Sequence, residues 1–373
     1  MTGREKLLAA FTSEGTPEMG AVAPNEWLFI RDHYAALTQA PWWDPMAEDS
    51  RAQSLVTETG LEWFCIGACP SRKERTRKRY EQRGDGVWQI DDETGQETQL
   101  APPMPSGANT TCSTSIHIDT EALPSTKSAI DDLIVCDPVF DRDAFIAEGR
   151  HDAAEAIRSA VDVFLYGHIS SPLWSLYNLF GYEGMLLLMA QNPDLASYAG
   201  QRILSNATQH IRMCSVLGAD GIRIEECLLD QISPESFRDI NVPILRECVE
   251  EIRAAGMKSI YYYCGNPWDR FDAILDIGAD AIQLEESKKG FTIDIEDVVE
   301  AVKGSCVLFG NLDATAVLQD GSDDELHREI ERQLQSGKDN KNRFVMSVGS
   351  PITPDTPVER VRRYTDLVHM LQK

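Results

Sequence analysis

The sequence predicts an α/β fold in which eight parallel strands alternate with helices and close into a (β/α)8 TIM barrel. The main observation is a phrase that occurs twice, at residues 218–226 and 278–286: Gly-Ala-Asp, a short alternating strand, then two glutamates. A third strand, at residues 259–263, lies between the two copies and ends in Cys-Gly-Asn. Strands separated in this way by helices are typical of parallel βα units. Because polar endings recur on successive strands, we expect them to share a site at the carboxyl end of the barrel.

The first third of the chain contains two strands of the barrel, an N-terminal helical extension and an insertion. It predicts, in order, an N-terminal helical extension at 2–11, a strand at 19–23, an aromatic segment at 27–43, a helix at 50–59 and a strand at 61–67. Residues 70–105 differ in character, since a basic run precedes an Asp-Glu-Thr-Gly turn. This pattern predicts a β-hairpin insertion over one end of the barrel. We expect one domain over residues 1–373, a size that decorated barrels reach.

From residue 138 onward helices and strands alternate regularly. The predicted helices span 142–160, 174–190, 193–216, 233–255, 268–277, 295–302, 323–335 and 357–371. The helix from 233 has the clearest start, with Ser233 as N-cap and Pro234 at the first helical position. Strands begin near 19, 62, 163, 221, 259, 281, 306 and 344, and eight is the number that a closed barrel needs.

The charge of the chain excludes some classes of partner. Sixty acidic and 35 basic residues give a net charge of −25, which disfavours binding to nucleic acid and to anionic membranes. No apolar run approaches the ~20 residues of a membrane-spanning helix, and residues 1–15 lack the apolar core of a secretory signal. We therefore expect a cytoplasmic protein whose nine cysteines stay reduced.

Alternation along the strands predicts which side chains point into the barrel. On the strand near 221, isoleucines that would pack on the helices alternate with Arg223 and Glu225, which are therefore expected to point inward. The strand near 281 has the same pattern and turns Gln283 and Glu285 inward. Two carboxylates are thus predicted inside the rim, two strands apart.

Other polar groups end neighbouring strands and complete a predicted site. The catalytic candidates are Glu225, Cys264, Glu285 and His168. The candidates for substrate binding are Trp27, Arg31, Tyr262, Arg223, Asn266, Asn311 and Ser347. Cys264, Glu225 and His168 could bind Zn²⁺ and leave one coordination position open for a substrate.

Two alternatives remain open at this point. The rim carboxylates could simply pair with Arg223 or Lys288. The aromatic residues of the 27–43 segment could pack as core, or could form a wall for a flat or methylated ligand. These residues are Trp27, Tyr34, Trp42 and Trp43.

Several phrases together resemble the uroporphyrinogen decarboxylase superfamily of (β/α)8 barrels. They are Gly-His-Ile-Ser-Ser-Pro at 167–172, Gly-Ala-Asp-Gly at 218–221, Ser-Pro-Glu-Ser-Phe at 233–237, Cys-Gly-Asn at 264–266, Phe-Gly-Asn-Leu-Asp at 309–313 and Gly-Ser-Pro-Ile-Thr-Pro-Asp-Thr-Pro at 349–357. The superfamily includes the decarboxylase itself and methyltransferases linked to corrinoids or coenzyme M.

Departures from the family patterns place the chain nearer the corrinoid-linked methyltransferase branch. The decarboxylase has an Arg-rich N-terminal phrase and an Asp after the second strand. In this chain, Arg31 is the only arginine in the corresponding stretch 24–31, and the stretch 66–70 contains no Asp. The zinc methyltransferases carry His-x-Cys on the fifth strand and a late Cys. Here Tyr262 takes the position of the histidine in that pattern and Cys264 keeps the cysteine. Ser350 lies near the position of the late Cys. Glu225, Glu285 or His168 would have to replace the lost ligands.

The resemblance implies a methyltransferase that moves a methyl group between a small methylated oxygen, nitrogen or sulfur compound and a corrinoid. A partner protein would carry the corrinoid, because the chain has no Asp-x-His-x-x-Gly phrase. Zn²⁺ is the expected metal, and the sequence leaves open whether the protein forms a homodimer.

Two other functions remain. One is a cofactor-free decarboxylase of a porphyrinogen or other acidic substrate, with Arg31, Arg223 and the basic run at 72–83 binding carboxylates. The other is a non-catalytic ligand-binding barrel.

Overall fold

The centre of the protein is a barrel of parallel strands. The computed structural model describes residues 1–104, 123–288 and 290–372. The strands are β1 (Ala21–Val22), β2 (Trp63–Cys65), β3 (Lys78–Arg83), β4 (Gly86–Asp91), β5 (Glu97–Leu100), β6 (Phe164–Ser170), β7 (Gly221–Glu226), β8 (Lys258–Tyr263), β9 (Ala281–Leu284), β10 (Val307–Phe309) and β11 (Phe344–Ser347). Eight of them pair in parallel in the order β1, β11, β10, β9, β8, β7, β6, β2. The edge strands meet where the Glu62 N–H donates to the Ala21 carbonyl at 3.0 Å. The barrel is nearly closed, and the predicted fold class is confirmed.

Helices surround the barrel and connect its strands. They are α1 (Gly3–Ala10), α2 (Glu26–Asp32), α3 (Tyr34–Leu37), α4 (Glu48–Thr59), α5 (Arg72–Arg77), α6 (Lys127–Leu133), α7 (Arg142–Ala147), α8 (Asp152–Ala160), α9 (Ser175–Gln191), α10 (Pro193–Val216), α11 (Pro234–Ser236), α12 (Val242–Ala254), α13 (Phe271–Asp276), α14 (Ile295–Val302), α15 (Asp323–Asp339) and α16 (Val358–Met370). Within the described residues, no helix is both long enough and apolar enough to cross a bilayer.

Two apolar clusters follow from the alternation of side chains on the strands. Ile222 and Ile224 of β7 belong to the larger cluster, between the strands and the helices. The smaller cluster fills the barrel interior, and its members from the strands are Val22, Trp63, Phe164, Tyr166, Ile260, Ala281, Val307, Phe309 and Val345. The inward direction predicted for Arg223 and Glu225 therefore agrees with the packing.

Helix α1 closes the amino end of the barrel. A capping box between Thr2 and Glu5 starts the helix. Leu7 and Ala10 are fully buried and join the interior cluster, and the ring of Phe11 stacks on Phe164 at 6.0 Å between centroids. Because apolar side chains fill this end, the carboxyl end is the one open to chemistry.

The insertion has one strand more than predicted. Helix α5 leads into β3, β4 and β5, which form a separate antiparallel sheet. The expected hairpin corresponds to β3 and β4. Gly95, with a φ of +72°, then reverses the chain so that β5 pairs with β4.

Other helices and strands also differ from the expectation in their bounds. The helix predicted over 142–160 is two helices, α7 and α8, because the chain turns at Gly149 with a φ of +71°. The helix predicted over 233–255 is interrupted by a π-helical turn, Phe237–Asn241. Pro243 follows this turn and cannot donate a helical hydrogen bond. Strand β6 is longer than predicted and includes His168.

Candidate active site at the carboxyl end of the barrel

Glu225, near the end of β7, is the centre of the site. Its Oε2 atom lies 2.6 Å from His168 Nε2 and 3.4 Å from Arg223 Nη1. Burial alone would raise the pKa of Glu225, but the hydrogen bond with His168 and the charge of Arg223 outweigh burial and lower it. Glu225 is therefore held as a carboxylate. His168 and Glu225, predicted as partners in one site, do lie together.

Two thiols lie beside this carboxylate. A Glu225 carboxylate oxygen and the Sγ atoms of Cys227 and Cys264 lie within 4.8 Å of one another. The Sγ atom of Cys227 is 3.9 Å from Glu225 Oε1. A hydrogen bond with Cys227, together with burial, raises the pKa of the Cys264 thiol well above its usual range. One carboxylate and two thiols thus form a set of convergent metal-ligand atoms, which we call the carboxylate–dithiol cluster.

Cys227 is the residue of this cluster that the sequence analysis missed. It follows Glu225 by two positions, so the alternation that turned Glu225 inward also predicts an inward Cys227. The predicted metal set contained His168 in its place. In the structure, His168 contacts Glu225, and the described cluster is completed by the second thiol.

Arg223 is fully buried in the barrel and links several strands. Its Nε atom donates to Gln283 Oε1 at 3.0 Å, and Nη1 donates to Asn25 Oδ1 at 2.6 Å. The guanidinium lies 4.1 Å from the ring centroid of Tyr262. Gln283 in turn donates to Ser347 Oγ at 3.1 Å. Arg223, Tyr262 and Ser347 were predicted to bind substrate, and here they form a buried polar layer under the carboxylate–dithiol cluster.

Glu285 lies near this cluster but in a different environment. Its Oε2 atom accepts the Gly265 N–H at 3.0 Å, and Lys288 Nζ is 3.8 Å from Oε1. Lys288 pairs more closely with Glu286, at 2.5 Å. Burial raises the pKa of Glu285 in spite of Lys288. The alternative that a carboxylate at the rim only forms an ion pair with Lys288 therefore applies to Glu286 more than to Glu285.

Two predicted amides support loops. The Nδ2 atom of Asn311 donates to the carbonyl of Glu285 at 3.2 Å and to that of Ile293 at 2.9 Å. The Oδ1 atom of Asn266 accepts the Trp268 N–H at 3.2 Å. The hydrogen bonds of both side chains hold the segments that follow β8 and β9.

Trp27 connects the site to two cavities. Its ring centroid is 5.1 Å from that of His168. One cavity, of about 220 Å³, is lined by Trp27, Tyr34 and Trp42, with Arg31 on its wall. The other, of about 330 Å³, lies over the end of β2 and shares Trp27 with the first. All four predicted aromatic residues thus line cavities, since Trp43, which stands edge-on to Trp42 at 5.5 Å, lines a third cavity of about 380 Å³.

A buried carboxyl group that the sequence analysis overlooked also lines the smaller cavity. Glu26 accepts hydrogen bonds from the hydroxyl of Tyr166 and the N–H of Cys65, both at 2.6 Å. Burial raises the pKa of Glu26 to about 7. Its sequence context, a short aromatic helix, gave no signal of this position.

The basic run at 72–83 makes ion pairs within the protein. Each of its five arginines has an acidic partner: Arg72 and Arg75 pair with Asp152, Arg77 with Asp91 and Glu93, Arg79 with Glu81 and Asp92, and Arg83 with Glu81 and Glu97. The structure therefore places this run in a network of surface ion pairs, and the carboxylate-binding role considered for it finds no support.

Comparison with known proteins gives the relatives of this barrel. A uroporphyrinogen decarboxylase from Tolumonas auensis is 27% identical over 232 residues, covering 58% of this chain and 62% of the relative. One from Vesicomyosocius okutanii is 24% identical over 189 residues, covering 50% and 49%. The chain thus spans between about half and three fifths of the length of these curated relatives.

A solved structure and a family model cover more of the chain. A methyltransferase from Methanosarcina mazei superposes with a TM-score of 0.66 over 99% of both chains at 19% identity, which shows a shared fold. The family model for uroporphyrinogen decarboxylase (URO-D) matches residues 114–371. This chain therefore belongs to the uroporphyrinogen decarboxylase family.

Proposed function

We propose that the protein is a methyltransferase that moves a methyl group between a small methylated compound and a corrinoid on a partner protein. The observation that carries the proposal is the carboxylate–dithiol cluster of Glu225, Cys227 and Cys264 at the carboxyl end of the barrel. Active sites of (β/α)8 barrels lie at this end. Two sulfurs and one carboxylate oxygen are a ligand set that suits Zn²⁺ and leaves a fourth position for substrate.

The raised pKa of Cys264 would make metal binding by the cluster depend on pH. Without a cation, the hydrogen bond with Cys227 and burial keep the pKa of Cys264 high. A divalent cation favours the deprotonated thiol, so its binding would release protons from the cluster. When bound, Zn²⁺ supplies a Lewis acid that stabilises negative charge on the oxygen, nitrogen or sulfur from which the methyl group departs.

The neighbouring residues supply orientation and a proton. His168 is hydrogen-bonded to Glu225 and its side chain is 25% exposed, so it can pass a proton from solvent to the leaving heteroatom. Arg223 holds a fixed positive charge below Glu225 and keeps that carboxylate ionised. Trp27 packs against His168 and lines both cavities, so a substrate held there would lie beside His168.

The cavities beside Trp27 favour a small substrate. A cavity of roughly 150 Å³ is enough to hold one benzene ring, and the aromatic-lined cavity here measures about 220 Å³. One ring with a short substituent fits this cavity, and an aryl methyl ether or an amine of similar size is the methyl donor that we propose.

The proposal is tested by metal content and methyl transfer in matched variants. The purified protein should carry about one equivalent of zinc, as expected for a single three-residue site. Cys264→Ser, Cys227→Ser and Glu225→Gln should each lower zinc affinity and methyl transfer to a corrinoid protein by about 100-fold or more, since each removes a direct ligand and the loss of an outer-shell partner alone costs about 10- to 100-fold.

Cys136→Ser is the matched control. This thiol is also half-buried, but its Sγ lies 4.0 Å from the Arg202 carbonyl, beside α10 and away from the barrel mouth. Zinc content and activity in this variant should equal those of the unmodified protein. Full methyl transfer by a zinc-free protein, or by Cys264→Ser, would contradict the proposal.

Decarboxylation is the second candidate, and the names of the curated relatives are the observation that favours it. It predicts release of carbon dioxide from a porphyrinogen without a metal. Incubation of metal-free protein with uroporphyrinogen, followed by chromatography of the products, separates the two candidates. A decarboxylated product that survives Cys264→Ser would favour this second function.

A further inference from the structure

We infer that Cys227 and Cys264 are a site of oxidative modification, at which a small-molecule disulfide joins them in an intramolecular disulfide bond. The inference rests on the positions of the two residues on neighbouring strands. The linkage itself does not depend on the proposed function, whereas its effect on the metal site does.

The strand register brings the two backbones together. Glu226 of β7 is the register partner of Tyr263 of β8, and each cysteine follows its strand by one residue. The Cys264 N–H donates to the Glu226 carbonyl at 2.8 Å, so the parallel ladder continues to the cysteines. Neighbouring strands lie roughly 4.8 Å apart, and disulfides join Cα atoms about 4.4–6.8 Å apart. A bond between these residues therefore needs little backbone movement.

The side chains also point to the same side. Glu225 and Tyr262 point into the barrel, and each cysteine follows one of them by two residues. The two Sγ atoms, with the carboxylate of Glu225, lie within 4.8 Å of one another. Both thiols are half-buried, whereas Cys214, Cys248 and Cys306 are buried. The pair is thus aligned and open to a small reagent.

The reaction is two successive thiol–disulfide exchanges. One cysteine, as thiolate, attacks a sulfur of the small disulfide; the S–S bond breaks, and one small thiol leaves with a proton. The second cysteine attacks the sulfur of the resulting mixed disulfide and releases the second small thiol. Two electrons and two protons pass from the cysteine pair to the small disulfide, and a small dithiol reverses the reaction.

Oxidation would remove two of the three ligand atoms of the carboxylate–dithiol cluster. A thiolate is the metal-binding form of cysteine, and the sulfurs of a disulfide bond are no longer thiolates. If the proposed function is correct, the modified protein loses zinc and methyl transfer together, and a reductant restores both.

The test is titration of the full chain with oxidised glutathione, followed by mass spectrometry of protease fragments and by counting of free thiols. We expect a fragment that links Cys227 to Cys264, the loss of two of the nine thiols, and recovery of both with dithiothreitol. Cys227→Ser and Cys264→Ser should each abolish the linked fragment, and Cys136→Ser should keep it. If circular dichroism shows that Cys227→Ser is unfolded, Cys227→Ala replaces it as the folded variant without this thiol.

The inference is overturned if glutathione becomes attached to Cys227 or Cys264 and no linked fragment forms. It is also overturned if the loss of two thiols persists in Cys227→Ser and Cys227→Ala. A chromogenic chelator added during the titration measures zinc release separately. A linked fragment from protein that never carried zinc would uphold the modification site and count against the metal in the proposed function.

Discussion

The two copies of the Gly-Ala-Asp phrase have similar sequences but place their glutamates in different environments. In the first copy, Glu225 lies between His168 and Arg223, and its pKa is lowered. In the second copy, Glu285 faces the Gly265 N–H and Lys288, and burial raises its pKa. The repeated phrase thus fixes where a carboxylate stands, and its non-local neighbours fix the charge that it carries.

The outward glutamates of the two copies differ even more. Glu226 is fully buried and accepts hydrogen bonds from Ser171, from Asn241 at 2.8 Å and from the Tyr261 hydroxyl at 3.3 Å. Glu286 instead pairs with Lys288, whose side chain is 37% exposed. One copy therefore anchors the loops behind the site through a buried hydrogen-bond network, and the other anchors through an ion pair with a partly exposed lysine.

The largest expected difference is in stability. Glu226→Ala would leave three buried partners without an acceptor, so the free energy of unfolding should fall by about 3–4 kcal/mol. Glu286→Ala loses mainly an ion pair with a partly exposed lysine, and should cost about 1 kcal/mol. Urea unfolding followed by circular dichroism measures both. Equal losses in the two variants would show that the networks are equivalent.

The dependence on pH should separate Glu226 from its glutamine variant. Burial raises the pKa of Glu226 to about 7, against about 4.3 in an unfolded chain. The folded protein therefore binds this proton more tightly, and the stabilisation is complete below pH ~4 and is lost as the pH rises to ~7. Relative to Glu226→Gln, the free energy of unfolding of the unmodified protein should fall by about 3 kcal/mol between pH ~4 and pH ~7.

Unfolding curves of both proteins from pH 4.5 to 8 check this difference, since other titrating groups contribute equally to the two. A constant difference between Glu226→Gln and the unmodified protein over this range would mean that Glu226 does not titrate there.

The inward pair should differ in metal binding. Glu225→Gln removes a proposed ligand and should weaken zinc binding and methyl transfer by about 100-fold or more, since the loss of an outer-shell partner alone costs about 10- to 100-fold. Glu285→Gln lies outside the carboxylate–dithiol cluster and should weaken zinc binding less than Glu225→Gln does, since it alters a neighbouring charge and removes no ligand. Competition with a zinc chelator measures both affinities. A larger effect at Glu285 would assign the metal to the second copy.

The smallest effect is expected at Lys288. Lys288→Met removes the cation beside Glu285 and Glu286, and should change the free energy of unfolding by less than about 1 kcal/mol because the lysine is partly exposed. Removal of the positive charge should also raise the pKa of Glu285 further. Carboxyl titration by nuclear magnetic resonance checks this shift, and an unchanged titration curve would show that Lys288 does not act on Glu285.

The barrel could be predicted from the sequence because alternation along a strand is a local property. It gave the number of strands and the inward direction of Arg223, Glu225 and Gln283. The same rule extends to Cys227, but that residue follows the last one of β7 and was not considered as part of the strand. The break at Gly149 was missed because one glycine is compatible with a helix and with a turn.

The roles of the amides could not be predicted, because they depend on partners that are distant in sequence. Asn311 donates to the carbonyl of Ile293, and Arg223 donates to Asn25 from 198 residues away. An asparagine that holds a loop and one that binds a ligand are the same residue type after the same kind of strand. Only the positions of the surrounding carbonyl groups distinguish the two.

Helix α1 has a consequence for the order of events during turnover. With Leu7, Ala10 and Phe11 packed into the amino end, the carboxyl end is the entrance that the described residues leave to the barrel. Under the proposed function, the methyl donor must already lie inside this entrance when the corrinoid protein covers it, since the methyl group passes directly between the two. A corrinoid protein that docks first would block the donor, so a high concentration of the corrinoid protein should slow the reaction.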